Sequence, residues 1–196
     1  MKYYQRYADI FTPLTKMFSS EYANQIAYDA IQVIGGSGFM KDYPAERYYR
    51  DARILTNYEG TTQLQVVAAI RGVGNGSYLK RIQEYDAENI KPELEGLREK
   101  LRKMTAQYEE AVQKVSALGT ATEDYDFHAR RLVEMAGYII MGYLLLLDAN
   151  RCNCYRRSCE VMIALGQSEI ARHIAYIDNY TPELLSEYKI SIEQSN

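Results

Sequence analysis

Three short elements within about forty residues contain the residue types of this chain that could do chemistry. They are Gln32-Val33-Ile34-Gly35-Gly36, the mixed basic and aromatic run 47–53, and the turn Tyr58-Glu59-Gly60-Thr61-Thr62-Gln63. Glycines let an anionic ligand approach backbone N–H groups closely, and a carboxylate in a turn can act as a general base. Taken singly, however, these patterns are more typical of a helix C-cap, a solvated helix face and a surface turn.

Taken together, in this order and spacing, the three elements closely resemble the C-terminal helical domain of the acyl-CoA dehydrogenase family. The resemblance runs nearly without interruption from about Thr12 to Arg71, through the stretches 28–44 and 48–53 to the Tyr-Glu-Gly-Thr turn. A match of this extent is more specific than any one of the short motifs. It implies a flavin-dependent enzyme that introduces an α,β double bond into an acyl-CoA thioester.

In that family the acidic residue of the Tyr-Glu-Gly-Thr turn is the catalytic base, which here is Glu59. The resemblance implies that Glu59 removes the α-proton of the thioester while the β-hydrogen leaves as hydride to FAD. An apolar acyl chain that covers the carboxylate excludes water and makes it a stronger base. The thioester carbonyl needs hydrogen-bond donors, which the resemblance assigns to the backbone N–H of Glu59 and a ribityl hydroxyl of FAD. Gly60 is expected to contact the substrate, since a residue without Cβ permits close approach, and a plain turn role stays open.

Five residues match positions that contact FAD in the family, namely Gln32, Gly35, Gly36, Thr61 and Gln63. Thr61 and Gln63 offer a hydroxyl and an amide that can bond the phosphates or the adenosine half, although Thr61 would equally serve as a helix N-cap. The segment from Gln32 to Gly36, which includes Gly35, resembles the strip that meets the FAD pyrophosphate of the neighbouring subunit. The resemblance therefore implies a homodimer or a higher homo-oligomer.

The resemblance also indicates substrate and electron-transfer partners. Arg71 corresponds to an arginine that lies near the acyl-CoA in the family, so it is a candidate substrate-binding residue. A basic residue at the end of a helix also interacts favourably with the helix dipole, and the sequence leaves both explanations open. An electron-transfer flavoprotein is one possible electron acceptor, and direct reaction with oxygen, as in acyl-CoA oxidase-like relatives, is the alternative.

Hydrophobic periodicity predicts an all-α fold, because alternation with a period of two is absent. In the first part, the spacing predicts a helix over 2–34 that stops at Gly35-Gly36 and is broken or kinked at Pro13. A loop should then lead to a short helix from Ala45 to about 54. A last helix, capped by Thr61 or Thr62, should run to about 70.

The glycine-rich run 72–77 predicts the boundary between residues 1–76, the incomplete acyl-CoA dehydrogenase helical domain, and residues 77–196, an antiparallel helical bundle. In that bundle Pro92 is expected in the first turn of a long amphipathic helix ended by Gly119. Further helices are predicted over 124–147 and 154–180. The apolar run 138–147 is too short to cross a bilayer and indicates a buried core helix, so no transmembrane segment is expected.

Charge and cysteine content favour a cytoplasmic protein that does not bind nucleic acid. The net charge is −3 and the pI about 5.5, whereas phosphate binding needs a concentrated basic surface. Three cysteines crowd into positions 152–159, which predicts small buried thiols in a reducing compartment rather than a disulfide framework. Their spacing, even with His173, fits no tetrahedral metal site. His128 is expected to be a solvated imidazole on a polar face.

The family's enzymes also need an N-terminal helical domain and a middle β-domain, and this sequence shows neither. The chain is therefore expected to be a fragment of a longer protein, with Met1 as an added start residue, that alone does not bind FAD tightly or turn over substrate. Two other hypotheses remain open. Residues 77–196 could be an oligomerisation or docking module without chemistry, or the fold could serve a relative that binds DNA.

Overall fold

The computed structural model describes residues 2–74, 76–120 and 122–193, and within these ranges the secondary structure is helical with no strand. The all-α prediction is therefore confirmed. The chain divides into two compact units, Met1–Gly72 and Val73–Asn196. This division lies just after the predicted end of the last helix of the first part, at about 70, and four residues before the boundary predicted from the glycine-rich run.

The first unit contains α1 (Lys2–Ile34), α2 (Gly36–Phe39), α3 (Ala45–Ala52), a 3-10 turn (Arg53–Thr56) and most of α4 (Thr62–Val73). Gly35 ends α1 with a φ of 69°, which confirms the predicted glycine stop. The predicted break at Pro13 is wrong, because α1 is continuous. Proline removes only one backbone donor, and the buried side chains of Ile10, Leu14 and Met17 hold both halves of α1 against the same core.

The second unit contains α5 (Ser77–Asp86), a 3-10 turn (Pro92–Leu94), α6 (Glu95–Ser116), α7 (Glu123–Arg151), a 3-10 turn (Asn153–Tyr155), α8 (Arg156–Asp178) and α9 (Pro182–Glu193). The predicted stripe of α6 is buried from Leu94 to Val115. Gly142 of α7 lies against Ile163 of α8, and Gly166 lies against Tyr138. The helices α7 and α8 are therefore antiparallel, as a bundle requires.

By length and composition alone, α7 is apolar enough to cross a membrane, and most of its apolar stretch is buried inside the second unit. It packs against α5, α6 and α8. A core helix of a helical bundle shows the same composition, because it is covered on several sides. The structure therefore agrees with the predicted core helix.

The prediction of a solvated His128 is wrong, because this side chain is fully buried. The rings of His128 and Tyr180 meet edge to face at a centroid distance of 4.4 Å, and the centroid of the Phe127 ring lies 5.3 Å from that of His128. Burial, together with the nearby charge of Arg131, lowers the pKa of His128 to about 4, while Asp124 acts in the opposite direction. Sequence reasoning missed this burial because the aromatic cover comes from the distant Tyr180.

The cysteines also differ in part from the prediction. Cys159 is buried and free, as expected, and burial raises the pKa of its thiol to about 11. Cys152 and Cys154, however, are exposed and joined by a disulfide. They flank a single residue between α7 and α8, outside the regular apolar stripes, so no helix covers them.

Candidate functional site

The turn 58–61, which contains Glu59, lies against the middle of α1 in the first unit. The ammonium Nζ of Lys16 donates hydrogen bonds to the carbonyl oxygens of Leu55, at 2.6 Å, and Gly60, at 3.1 Å. The same ammonium lies 5.5 Å from the centre of the Tyr58 ring, within the range of a cation–π contact. One side chain from α1 therefore binds the backbone on both sides of Glu59.

Glu59 has a left-handed backbone conformation, with a φ of 55°, and is the only non-glycine residue of the described ranges with a positive φ. Gly60 follows with a φ of 96°. A non-glycine residue in this region costs about 1–2 kcal/mol, so the surrounding contacts must hold it there. The side-chain amide of Gln65 is one such contact, because it donates to the carbonyls of Glu59, at 3.1 Å, and Gly60, at 3.4 Å.

Neither the carboxylate nor the backbone N–H of Glu59 has a hydrogen-bond partner within the described ranges. The residue is also exposed. A carboxylate and a free N–H on one residue can remove a proton from a molecule and bond an oxygen of the same molecule. This combination is what an acid–base step next to a carbonyl group requires.

The hydroxyl groups of Thr61 and Thr62 fix the start of α4. The hydroxyl of Thr61 accepts a hydrogen bond from the N–H of Leu64 at 3.4 Å, so Thr61 caps the helix as predicted. Thr62 is buried and donates from its hydroxyl to the carboxylate of Glu21 on α1, at 2.7 Å. Asn24 of α1 donates to the carbonyl of Ala52, which ends α3, at 2.9 Å. Polar side chains of α1 thus position both elements that flank the turn.

The candidate site residues form two groups in the first unit. Glu59, Gly60, Thr61 and Gln63 lie at the turn and the start of α4, and Gln63 is exposed. Gln32, Gly35 and Gly36 are exposed at the far end of α1. From Lys16, which contacts the turn, α1 runs about 27 Å to its last residue at a rise of 1.5 Å per residue. One chain therefore does not bring the two groups together.

Gly35 and Gly36 face open space, since a Cβ built at either position has no atom within 4 Å. The surface there can accept a group from outside the chain close to the backbone. Arg71 is exposed in the last turn of α4, more than two helical turns from Thr61. The fold is therefore compatible with the predicted cofactor contact at Gly35 and Gly36 and with the predicted substrate contact at Arg71.

Sequence reasoning missed Lys16, Gln65 and Asn24. A signal existed for Lys16, because it stands between the buried positions Leu14 and Met17 on α1, and a cation beside an apolar stripe often has a specific partner. The partners themselves are carbonyl oxygens some forty residues away, which no local pattern reveals.

No set of three or more His, Cys, Asp and Glu residues that could hold a metal ion occurs within the described ranges. The Nε2 atom of His173 lies 2.9 Å from the carboxylate of Glu134. Burial raises the pKa of Glu134, but hydrogen bonds from His173 and Arg130 outweigh it, and the pKa is lower than usual. This pair is a structural contact of α7 and α8.

Two family models match the chain. The model described as "Acyl-CoA dehydrogenase, C-terminal domain" matches residues 5–74, and the one described as "Acyl-CoA dehydrogenase C terminal" matches residues 74–185, more than half of the chain. A solved structure titled as an acyl-CoA dehydrogenase family protein from Porphyromonas gingivalis is 39% identical, with a TM-score of 0.55. The match covers 59% of this chain and 99% of that one.

Curated relatives agree over a shorter region. The short-chain specific acyl-CoA dehydrogenase, mitochondrial, of Rattus norvegicus is 52% identical over 52 residues, 26% of this chain and 13% of that protein. The cyclohexane-1-carbonyl-CoA dehydrogenase of Geobacter metallireducens is 48% identical over 58 residues, 30% of this chain and 15% of that protein. The chain thus covers only a small part of the length of these curated relatives.

Proposed function

Because the chain belongs to the acyl-CoA dehydrogenase family, we propose that the polypeptide that contains it oxidises acyl-CoA thioesters with FAD and that Glu59 is the base. The observation that carries this proposal is the turn, in which Glu59 combines an exposed carboxylate with an amide that has no acceptor among the described residues. In the reaction the Cα–H and Cβ–H bonds break and a double bond forms between the two carbons.

Glu59 takes the α-proton on its carboxylate, and its backbone N–H donates to the thioester oxygen, where negative charge develops as the α-proton leaves. FAD, which Gln32, Gly35, Gly36, Thr61 and Gln63 would help to hold, would supply the acceptor for the β-hydrogen and its electron pair. Because the Glu59 carboxylate is exposed in the free protein, an apolar acyl chain bound over it would exclude water and increase its basicity. Gly60 and Arg71 are the proposed substrate-binding residues.

The candidate FAD contacts fit such a cofactor in two groups, which supports a site shared between subunits. Thr61 and Gln63 offer exposed polar side chains beside Glu59, and the Thr61 hydroxyl, although it accepts from Leu64, can still donate. Gln32, Gly35 and Gly36 lie at the other end of α1. A homodimer or higher homo-oligomer, in which these three residues serve the flavin of the neighbouring subunit, would use both groups.

Other features of the whole protein remain part of the proposal. We place it in the cytoplasm, with an electron-transfer flavoprotein as the electron acceptor. The 196 residues alone should bind FAD weakly and not turn over substrate, since the region that matches the curated dehydrogenases is only 13 to 15% of their length.

The test replaces Glu59 by Gln in the complete flavoprotein. Straight-chain and branched acyl-CoA thioesters are mixed anaerobically with the protein, and flavin reduction is followed by its absorbance. The unchanged protein should be reduced by at least one thioester, and Glu59→Gln should slow reduction by about 1,000-fold or more, because the amide cannot accept the proton. Reduction of Glu59→Gln at the original rate, or no reduction of the unchanged protein by any thioester, would contradict the proposal.

Gln113→Leu is the matched control, because Gln113 is exposed on α6 in the second unit and its side chain makes no hydrogen bond within the described ranges. Its flavin content and reduction rate should equal those of the unchanged protein. Equal flavin content in Glu59→Gln would show that the slow step is chemical and is not caused by cofactor loss.

A further inference from the structure

We propose that Lys16 and Gln65 are positioning residues for Glu59, an inference that rests on the proposed function of that residue. Lys16 comes from α1 and Gln65 from α4, so the two side chains reach the turn from different helices. Between them they donate four hydrogen bonds to three carbonyl oxygens, those of Leu55, Glu59 and Gly60. One of these carbonyls precedes Glu59 in the chain, one belongs to Glu59 itself and one belongs to the next residue.

The turn must be held in place, because Glu59 adopts a backbone conformation that residues with a side chain rarely occupy. We call the four hydrogen bonds from Lys16 and Gln65 the clamp. The φ of 55° at Glu59 would be relieved by a local rotation of the backbone. Such a rotation would change the position of the Glu59 carboxylate relative to the N–H of the same residue. The Lys16 bonds to Leu55 and Gly60 oppose it, because they fix the two ends of the segment to a long, packed helix.

Lys16 can hold the turn without forming an ion pair with the Glu59 carboxylate. Its ammonium contacts two carbonyl oxygens and the Tyr58 ring, and it forms no ion pair with a carboxylate of the described residues. An ammonium that is satisfied by carbonyls leaves the Glu59 carboxylate unneutralised, so it remains available as a base. The clamp therefore orients the base without forming an ion pair with it.

The same contacts would also be compatible with a lysine that only stabilises the fold. The two roles differ in which kinetic constant they affect. A residue that positions a base changes the rate of proton removal and leaves acyl-CoA binding nearly unchanged. It also has no remaining effect once the base itself is gone, because effects of residues that act through one group are not additive.

The experiment uses the complete flavoprotein with Lys16→Met, which keeps an unbranched side chain of good helix propensity and removes the three donors. The limiting rate of flavin reduction by acyl-CoA should fall by roughly 10- to 100-fold, while the half-saturating thioester concentration stays within about threefold. Lys103→Met, at an exposed position in the middle of α6, is the matched control and should match the unchanged protein.

The double variant with Glu59→Gln separates the two proposals. Lys16→Met should slow the residual rate of Glu59→Gln by less than about threefold. An unchanged limiting rate in Lys16→Met, or an equally large loss on both backgrounds, would overturn the clamp while leaving the base assignment intact. Undiminished reduction in Glu59→Gln alone would instead overturn the proposed function.

Amide hydrogen exchange gives a readout that does not depend on activity. Peptides that cover residues 54–62 should exchange faster in Lys16→Met than in Lys103→Met, while peptides from α6 and α7 stay unchanged. Equal exchange over 54–62 would contradict the clamp. If Lys16→Met does not fold, Gln65→Leu, which removes only the bonds to Glu59 and Gly60, takes its place with the same expected results.

Discussion

The side-chain amide of Gln65 occupies the space that a β-carbon at position 60 would need. A Cβ built on Gly60 would lie 2.7 Å from Nε2 of Gln65, closer than real Cβ atoms approach another atom. The φ of Gly60, 96°, also lies in the region that side-chain-bearing residues rarely adopt. Position 60 therefore requires glycine for the chain's own conformation, in addition to any role in substrate approach.

Gly60→Ala should destabilise the protein by about 1–3 kcal/mol, because the new methyl group strains the backbone and displaces the Gln65 amide. The measurement is the free energy of unfolding from urea titration. Gly96→Ala is the matched control, since a Cβ at that position in α6 meets no atom within 4 Å. Alanine in a helix is favourable, so the control should be neutral or slightly stabilising. Equal stability of the two variants would contradict the steric argument.

A buried hydrogen bond of Tyr108 should contribute to the free energy of unfolding of the second unit. The buried phenol of Tyr108 donates to the carbonyl oxygen of Val73 at 2.7 Å, and burial raises the pKa of the phenol, so it remains a neutral donor. Tyr108→Phe should cost about 1–2 kcal/mol, because it leaves the buried carbonyl without its partner. Tyr155→Phe, at an exposed position, should stay within about 0.5 kcal/mol of the unchanged protein. Urea unfolding measures both, and indistinguishable values would refute the prediction.

The lowered pKa of His128 predicts that the protein loses stability in mild acid. The pKa of this histidine is lowered to about 4 in the folded protein, so the unfolded chain binds a proton first as the pH falls. The free energy of unfolding is unaffected by protonation of His128 above about pH 6.5, the pKa of histidine in the unfolded chain, and it decreases as the pH falls from there towards 4. From about pH 7 to pH 5 the loss should be on the order of 2 kcal/mol.

His128→Phe keeps an aromatic ring beside Phe127 and Tyr180 and removes the titration. Its free energy of unfolding, measured by urea titration at several pH values, should therefore depend less on pH over that interval than in the unchanged protein. The comparison of slopes does not depend on the absolute stability of the variant. Parallel pH profiles would show that His128 is not the group responsible.

The elements that local patterns specify were predictable. The apolar stripe of α6 repeats every three to four residues, and Gly35 and Thr61 mark helix ends through backbone chemistry that acts within a few positions. Helices α5 and α9 were missed because they are short and only partly apolar. Continuity of α1 through Pro13 was also missed, since buried neighbours on both sides override the local preference.

The sequence by itself determined the helical class, the family resemblance and the identity of Glu59 as the candidate base, because each depends on residue types at fixed spacing. Only the tertiary structure decided how Glu59 is held. Lys16 and Leu55 are 39 positions apart, and Lys16 and Gly60 are 44 apart. The burial of His128 beneath Tyr180 is likewise a contact between distant residues. Such contacts form only when packed helices bring distant segments together, and no local period encodes which atoms will meet.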